Sequence, residues 1–141
     1  MISDEAIERL AAGFDACTLR DEQWTHAAHL VVALRCLCRH ETNVAIEKLR
    51  TGIKRINASL AKTPDAYHET MTIAWIRLIE TFLATEDRRQ SLSALAHRLI
   101  ERCGDPSYIF TFYTREVLFS PEARTTWVPP DRRPLYVLND S

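Results

Sequence analysis

Two histidines lie three residues apart in a segment that has the pattern of a helix beginning. His26 and His29 follow Thr25, whose hydroxyl can accept a hydrogen bond from a backbone N–H two or three residues later and so cap the helix. Residues three and four apart share one face of a helix, so both imidazoles lie on the face that carries Leu30 and Ala33. Because that face is apolar, we expect both imidazoles to point into the protein.

A second polar helix beginning contains the adjacent residues His68 and Glu69, and we expect it to meet the first in the interior. Imidazole is the commonest metal-binding side chain, and three ligands from facing helices leave a fourth position open for chemistry. His26, His29 and His68 are therefore the predicted ligands of a divalent metal such as zinc or iron. Glu69 and His68 are the predicted catalytic residues, with Glu69 orienting an imidazole or acting as a base. These four residues are called the His/Glu cluster.

Two other interpretations of the His/Glu cluster stay open. In the first, the cluster performs acid–base chemistry without a metal. In the second, the cluster is a buried network with a purely structural role, in which the paired imidazoles bond to Glu69, Tyr67 or Tyr113 and Arg115 or Arg124 neutralises the acid. The protein is then a non-catalytic helical interaction module. A functional cluster instead binds a metal ion or a small molecule.

Basic and aromatic side chains near the C-terminus form a second candidate site. Arginine binds carboxylate or phosphate with two parallel hydrogen bonds, so Arg115 and Arg124, close in sequence to Tyr113, could hold an anion. The favoured alternative is that Arg124 fastens the C-terminal tail by pairing with Glu116 or Asp131. The residues predicted to contact a small molecule are Trp24, Tyr67, Tyr113, Arg115 and Arg124.

The composition is typical of a globular protein, with 46% hydrophobic and 26% charged residues. The formal net charge is −1 with both signs interspersed, and nucleic-acid binding requires a basic surface, so we expect no nucleic-acid partner. No segment approaches the roughly 18 apolar residues of a membrane span, and no signal peptide is recognisable. We therefore expect no membrane partner and a cytoplasmic location, where the four cysteines are core thiols.

The apolar spacing predicts an all-α fold, in which the 141 residues form one domain. The predicted helices cover about residues 4–13, 25–39, a stretch through Ile46 to Leu60, 68–84 and 92–103. Gly13 is expected to end the first of them. This compact bundle of four to five helices is followed by an irregular, proline-containing strap, about residues 106–141, that lies across it.

Three segments together resemble the signatures of a known family. They are Trp24-Thr25-His26-Ala27-Ala28-His29-Leu30, Tyr67-His68-Glu69-Thr70-Met71-Thr72, and Phe112-Tyr113-Thr114-Arg115-Glu116 with Leu118-Phe119-Ser120-Pro121-Glu122-Ala123-Arg124. The pattern is similar to that of a widespread, uncharacterised family of small all-helical bacterial proteins, and the similarity covers about residues 20–135. The resemblance implies one helical domain from a bacterium. It implies no activity, because none is assigned to the family. Thr114 stands where the family pattern has a serine.

Overall fold

The computed structural model describes residues 2–135, which form seven α-helices. The helices are α1 (Asp4–Ala16), α2 (His26–Arg39), α3 (Thr42–Ser59), α4 (Glu69–Ala84), α5 (Leu92–Cys103), α6 (Arg115–Leu118) and α7 (Pro121–Thr125). Short 3₁₀ turns occur at Asp21–Gln23, Pro64–Ala66 and Pro106–Thr111. Because these residues contain no strand, the predicted all-α fold is confirmed, and the five longer helices match the predicted bundle.

Helix α2 occupies the centre of the bundle. It packs against α1, α3, α4 and α5. Five consecutive residues, Leu30 to Leu34, are buried, whereas a surface helix buries one stripe only. The beginning of α2, which carries the two paired histidines, is therefore held by neighbours on several sides.

Helix α4 lies between two hydrophobic clusters. Ile76 and Ile79 belong to the main core around α2. Ala74 and Leu78 face a second cluster, which the C-terminal residues, including Tyr113, complete. The wide apolar surface of this helix is thus covered from two directions, as expected for a central helix.

The beginnings of α2 and α4 are capped by side chains. The hydroxyl of Thr25 accepts a hydrogen bond of 3.1 Å from the backbone N–H of Ala28, so the predicted cap of α2 is confirmed. At α4 the imidazole Nδ1 of His68 accepts one of 3.1 Å from the N–H of Met71. His68 is therefore the cap itself and precedes the first turn of α4.

The first helix is longer than predicted. It continues through Gly13 to Ala16, and Cys17 then adopts a left-handed conformation with φ of 58° that ends it. A Cβ atom at Gly13 would lie 2.6 Å from the side chain of Leu19. The glycine therefore permits the returning chain to approach the helix closely, and it does not terminate the helix as expected.

The four cysteines were predicted to be thiols and not disulfides. Cys17, Cys36, Cys38 and Cys103 are all free thiols, as predicted. Burial raises the pKa of the Cys103 thiol, which is consistent with a place in the core.

Within residues 2–135, no helix has the length and apolar character required to cross a bilayer.

The C-terminal segment, residues 106–135, is more regular than the predicted strap because it contains α6 and α7. Its remaining turns are tied down by hydrogen bonds. The hydroxyl of Thr70 in α4 donates to the carbonyl of Thr126 (2.7 Å) and accepts from the N–H of Val128 (3.0 Å). The hydroxyl of Tyr113 donates to the carbonyl of Val128 (2.6 Å). Residues 136–141 of the predicted strap lie outside the described residues.

We expect the substitution Thr70→Val to lower the free energy of unfolding by about 1–3 kcal/mol. Thr70 is completely buried, and valine of nearly the same shape leaves the carbonyl of Thr126 and the N–H of Val128 without this partner. Urea denaturation measures the change. Thr81→Val is the matched control, because the Thr81 hydroxyl bonds to a carbonyl of its own helix. Equal stability of the two variants would contradict the role assigned to Thr70.

Candidate functional site

A cavity of about 470 Å³ lies where α2 and α4 begin. Its wall contains Trp24, His26 and His29 from the α2 side, Tyr67, His68, Met71, Thr72 and Trp75 from the α4 side, and apolar residues of α3. The two polar helix beginnings therefore meet, as the sequence predicts. The volume is within the range of small-molecule sites, and the wall is mostly apolar, as such sites usually are.

The imidazole of His29 is held in one orientation by two contacts. Its Nδ1 lies 2.7 Å from the carbonyl of Thr25, to which it donates, so Nε2 is the acceptor nitrogen of the neutral ring. The ring of Trp24 stacks on it with centroids 3.8 Å apart. Burial lowers the pKa of His29, and the charges of His26 and Lys62 lower it further. His29 is therefore neutral at pH 7.

His26 and Trp24 each carry a buried ring nitrogen without a hydrogen-bond partner among residues 2–135. These atoms are Nε2 of His26 and Nε1 of Trp24. The His26 ring packs against the edge of Trp75, with centroids 4.8 Å apart. Burial lowers the pKa of His26, although the Cys103 backbone and Asp105 act in the opposite direction. Buried polar atoms in proteins are nearly always bonded, so these two nitrogens are exceptions among the residues of the cavity wall.

His68 lines the same cavity, but both of its ring nitrogens are engaged within the protein. Nδ1 accepts from the N–H of Met71, and Nε2 donates to the carbonyl of Leu118 at 2.7 Å. The imidazole is therefore neutral, and burial lowers its pKa. No lone pair is left for a metal ion. His68 instead joins the beginning of α4 to the end of α6.

The structure does not assemble the predicted metal site. Among residues 2–135, no three His, Cys, Asp or Glu side chains are grouped so that they could hold a metal ion. His26, His29 and His68 share the wall of one cavity, but they do not form a common ligand set. A His-x-x-His spacing places two imidazoles on one helix face and does not determine which nitrogens remain free.

Glu69 is held in an ion pair outside the wall of the cavity. Arg50 donates from Nε to Oε1 (3.0 Å) and from Nη2 to Oε2 (2.5 Å), and the Tyr67 hydroxyl donates to Oε1 (2.7 Å). These donors, Arg50 first, lower the pKa of Glu69, although burial opposes the shift. A carboxylate so stabilised is a weak base. Glu69 and His68, the two predicted catalytic residues, therefore both make contacts of a structural kind.

Arg50 is a residue that the sequence does not reveal as part of this network. It belongs to the charged face of α3, which is typical of a solvent-exposed surface. Its side chain is only 26% exposed and that of Glu69 only 15%. Burial, followed by the bond to Glu69, raises the pKa of Tyr67 to about 12. The network aligns α3 with the beginning of α4 and so shapes one wall of the cavity.

Tyr113 and Arg115, two predicted ligand contacts, lie outside the cavity wall. Tyr113 is completely buried in the second cluster, where its hydroxyl bonds to the carbonyl of Val128. The guanidinium of Arg115 lies 4.4 Å from the centre of the Phe110 ring. Both residues therefore stabilise the C-terminal segment.

Arg124 fastens the C-terminal segment, but through a partner that was not predicted. Its Nη1 donates to the backbone carbonyl of Asp65 at 2.5 Å, which joins α7 to the turn before α4. Asp131, one of its two predicted partners, instead accepts from the backbone N–H and the hydroxyl of Thr114. Of the five predicted ligand contacts, only Trp24 and Tyr67 line the cavity.

Trp75 and Lys62 line the cavity, although neither was predicted as a site residue. Trp75 lies two helical turns after His68 on the same face of α4, a spacing that could have placed it in the site. Lys62 forms an exposed ion pair of 3.2 Å with Asp21, and both residues line the cavity. This pair joins two loops that are far apart in sequence, so no local pattern predicts it.

No known protein family, curated protein or solved structure matches this chain. The resemblance to a bacterial family therefore stays a prediction. The function is inferred below from the geometry of the cavity.

We expect acid to destabilise the protein through three histidines, of which His68 is buried and His26 and His29 are half-buried. Burial holds the pKa of His26, His29 and His68 below the ordinary value of 6.5. Between the lowered pKa values and 6.5 the unfolded chain binds more protons than the folded one, so stability rises with pH in this window. These groups therefore stabilise the fold fully above about pH 7 and lose this contribution as the pH falls below about 6.5.

Urea denaturation between about pH 5 and pH 8 measures this dependence. His68→Asn should flatten it, because asparagine still accepts from the N–H of Met71 but does not titrate. The interpretation is wrong if His68→Asn follows the same curve as the unaltered protein.

We expect Arg50→Gln to lower the free energy of unfolding by about 2 kcal/mol, because it leaves the Glu69 carboxylate largely buried with only Tyr67 as a donor. Glu47 is the exposed second partner of Arg50, with its side chain 70% accessible. Glu47→Gln should therefore change stability by less than about 0.5 kcal/mol. Chemical denaturation measures the free energy of unfolding of both variants. Equal losses would show that the ion pair with Glu69 stabilises the fold no more than the pair with Glu47.

Proposed function

We propose that this protein binds a small, largely apolar and planar molecule in the cavity between the beginnings of α2 and α4. The observation that carries the proposal is the pair of buried ring nitrogens, Trp24 Nε1 and His26 Nε2, that have no partner among the described residues. Leaving such atoms unbonded costs about 1–3 kcal/mol each. A ligand that bonds to them recovers this free energy.

The size and walls of the cavity support this class of ligand. A cavity of about 150 Å³ is sufficient for benzene, and this one has about 470 Å³. Three aromatic rings, those of Trp24, Tyr67 and Trp75, contribute to the wall. Flat aromatic surfaces favour flat ligands, because stacked and edge-on contacts then bury the largest apolar area.

The polar atoms of the cavity define the complementary groups of the ligand. The indole N–H of Trp24 can only donate, so it requires an acceptor on the ligand. Nε2 of the neutral His29 accepts, so it requires a donor. A ring that carries a hydroxyl or an amide group supplies both kinds of partner.

A catalytic use of His29 is a second candidate, favoured by the orientation of its ring. The Thr25 carbonyl fixes the proton on Nδ1, which leaves Nε2 as a base, and an imidazole oriented in this way is the usual form of a histidine base. The acidic proton of a phenolic or similar ligand is the group that this base would take. In this form of the metal-free acid–base interpretation, His29 is the base, a role that the sequence had assigned to Glu69.

The proposal is tested with neutral planar probes: phenol, indole and 2-naphthol. Isothermal titration calorimetry with the full chain should show saturable binding of one probe molecule per protein. Trp24→Phe keeps an aromatic ring and removes the N–H, so it should weaken binding about five- to tenfold, and His26→Gln should also weaken it. Trp127→Phe and His97→Gln remove the same side-chain types outside the cavity and should have no effect.

Two results would overturn the proposal. One is that no probe binds more tightly than about 1 mM, which is the affinity of a non-specific contact. The other is that the cavity variants and their controls bind equally while the melting curves show that all of them fold. Zinc ions should not raise the melting temperature. If they do, and if His29→Gln abolishes the rise, the ligand of this site is a metal ion and not a small molecule.

A further inference from the structure

A groove of about 520 Å³ lies directly beside the cavity. The two share Asn57, Lys62 and Tyr67 as wall residues and are therefore adjacent. Tyr67 belongs to both walls. A ligand in the cavity that passes Tyr67 would reach the groove.

Three cationic side chains from separate segments converge on this groove. Lys54 comes from α3, Lys62 from the turn that follows α3, and Arg124 from α7. The ammonium of Lys54 lies 4.9 Å from the centre of the Tyr67 ring. Within residues 2–135 no carboxylate forms an ion pair with it. Arg124 gives one N–H to the Asp65 carbonyl and has four others available.

The acidic residues near the groove already have partners. Glu69 is bonded to Arg50 and Tyr67. Asp65 accepts a hydrogen bond of 2.5 Å from the Thr63 hydroxyl. Asp21 pairs with Lys62, but both side chains are exposed, and exposed pairs of this kind are weak enough for a ligand to displace. Asp65 and Glu69 belong to the wall of the groove, and the hydroxyl bond leaves the charge of Asp65 in place. With Arg50 and Asp21 included, four cations and three carboxylates lie at the groove, so a net positive charge adjoins a mostly apolar cavity.

We infer that the ligand of the cavity is an amphipathic anion, whose planar apolar body occupies the cavity and whose carboxylate or similar oxyanion occupies the groove beside Lys54, Lys62 and Arg124. The inference rests on the proposed function, since it assigns a ligand class to the same site. A charge buried in the cavity would lose its hydration against apolar walls. In the groove it keeps part of that hydration and gains cationic partners.

Matched carboxylate and amide probes test this inference. Indole-3-acetate is compared with indole-3-acetamide, and indole-3-propionate with its amide, by calorimetry at low ionic strength and pH 7. Each pair has the same ring and chain and differs in charge. At least one carboxylate should bind about tenfold more tightly than its amide, which is the contribution of one charge-assisted hydrogen bond. Added salt should reduce the difference, because the groove is open to solvent.

Substitutions in the groove identify the source of the preference. Lys54→Gln and Lys62→Gln should each reduce the preference for the carboxylate about threefold, and Lys54→Gln should leave amide binding unchanged. Lys48→Gln is the matched control, because Lys48 is an exposed lysine of the same helix outside the groove. It should leave the preference intact.

The two proposals fail in different ways. If the amides bind in the cavity and no carboxylate is preferred, the ligand is not an anion and the inference is wrong, while the proposed function stands. If the preference survives Lys54→Gln and Lys62→Gln as it survives Lys48→Gln, the groove is not its source and the inference is equally wrong. If neither member of either pair binds, the inference is wrong, and if phenol, indole and 2-naphthol also fail to bind, the proposed function itself is wrong.

Discussion

The neutral imidazole of His68 joins the beginning of α4 to the end of α6. Its Nδ1 accepts from the first turn of α4, and its Nε2 donates to the carbonyl that ends α6. Only a neutral ring with the proton on Nε2 can make both bonds. The cap of α4 therefore depends on one tautomer of one side chain. This cap lies between Tyr67 and Met71, two residues of the cavity wall.

The His/Glu cluster divides into two halves with different roles. His68 and Glu69 have every strong hydrogen-bonding position occupied by protein groups, which is the signature of a structural network. His26 and His29 instead line the cavity, and Nε2 of His26 is buried without a hydrogen-bond partner among the described residues. The structural interpretation therefore applies to His68 and Glu69. The proposed ligand site depends on the other two residues, His26 and His29.

The sequence predicts those features that depend on neighbouring residues. The Thr25 cap, the shared face of His26 and His29, and the ends of the longer helices other than α1 follow from local spacing and hydrogen bonding. It does not predict the pairing of Arg50 with Glu69, because that contact depends on how α3 packs against α4. The sequence also cannot predict that Nε2 of His68 donates to the carbonyl of Leu118, since fifty residues separate the two. The predicted metal site does not form among residues 2–135, in part because the distant Leu118 carbonyl and the nearby Met71 N–H engage both nitrogens of His68.

The position of the cavity at two helix beginnings accounts for its electrostatic character. The N-terminal ends of α2 and α4 carry partial positive charge, which disfavours protonation of nearby imidazoles and favours electron-rich groups of a ligand. The first turn of α2 contains no acidic residue, and the one in α4, Glu69, is neutralised by Arg50. The helix ends and the lysines of the adjoining groove therefore act in the same direction. A cation would meet repulsion from both, whereas an apolar ring with a negative end would be complementary to the cavity and the groove together.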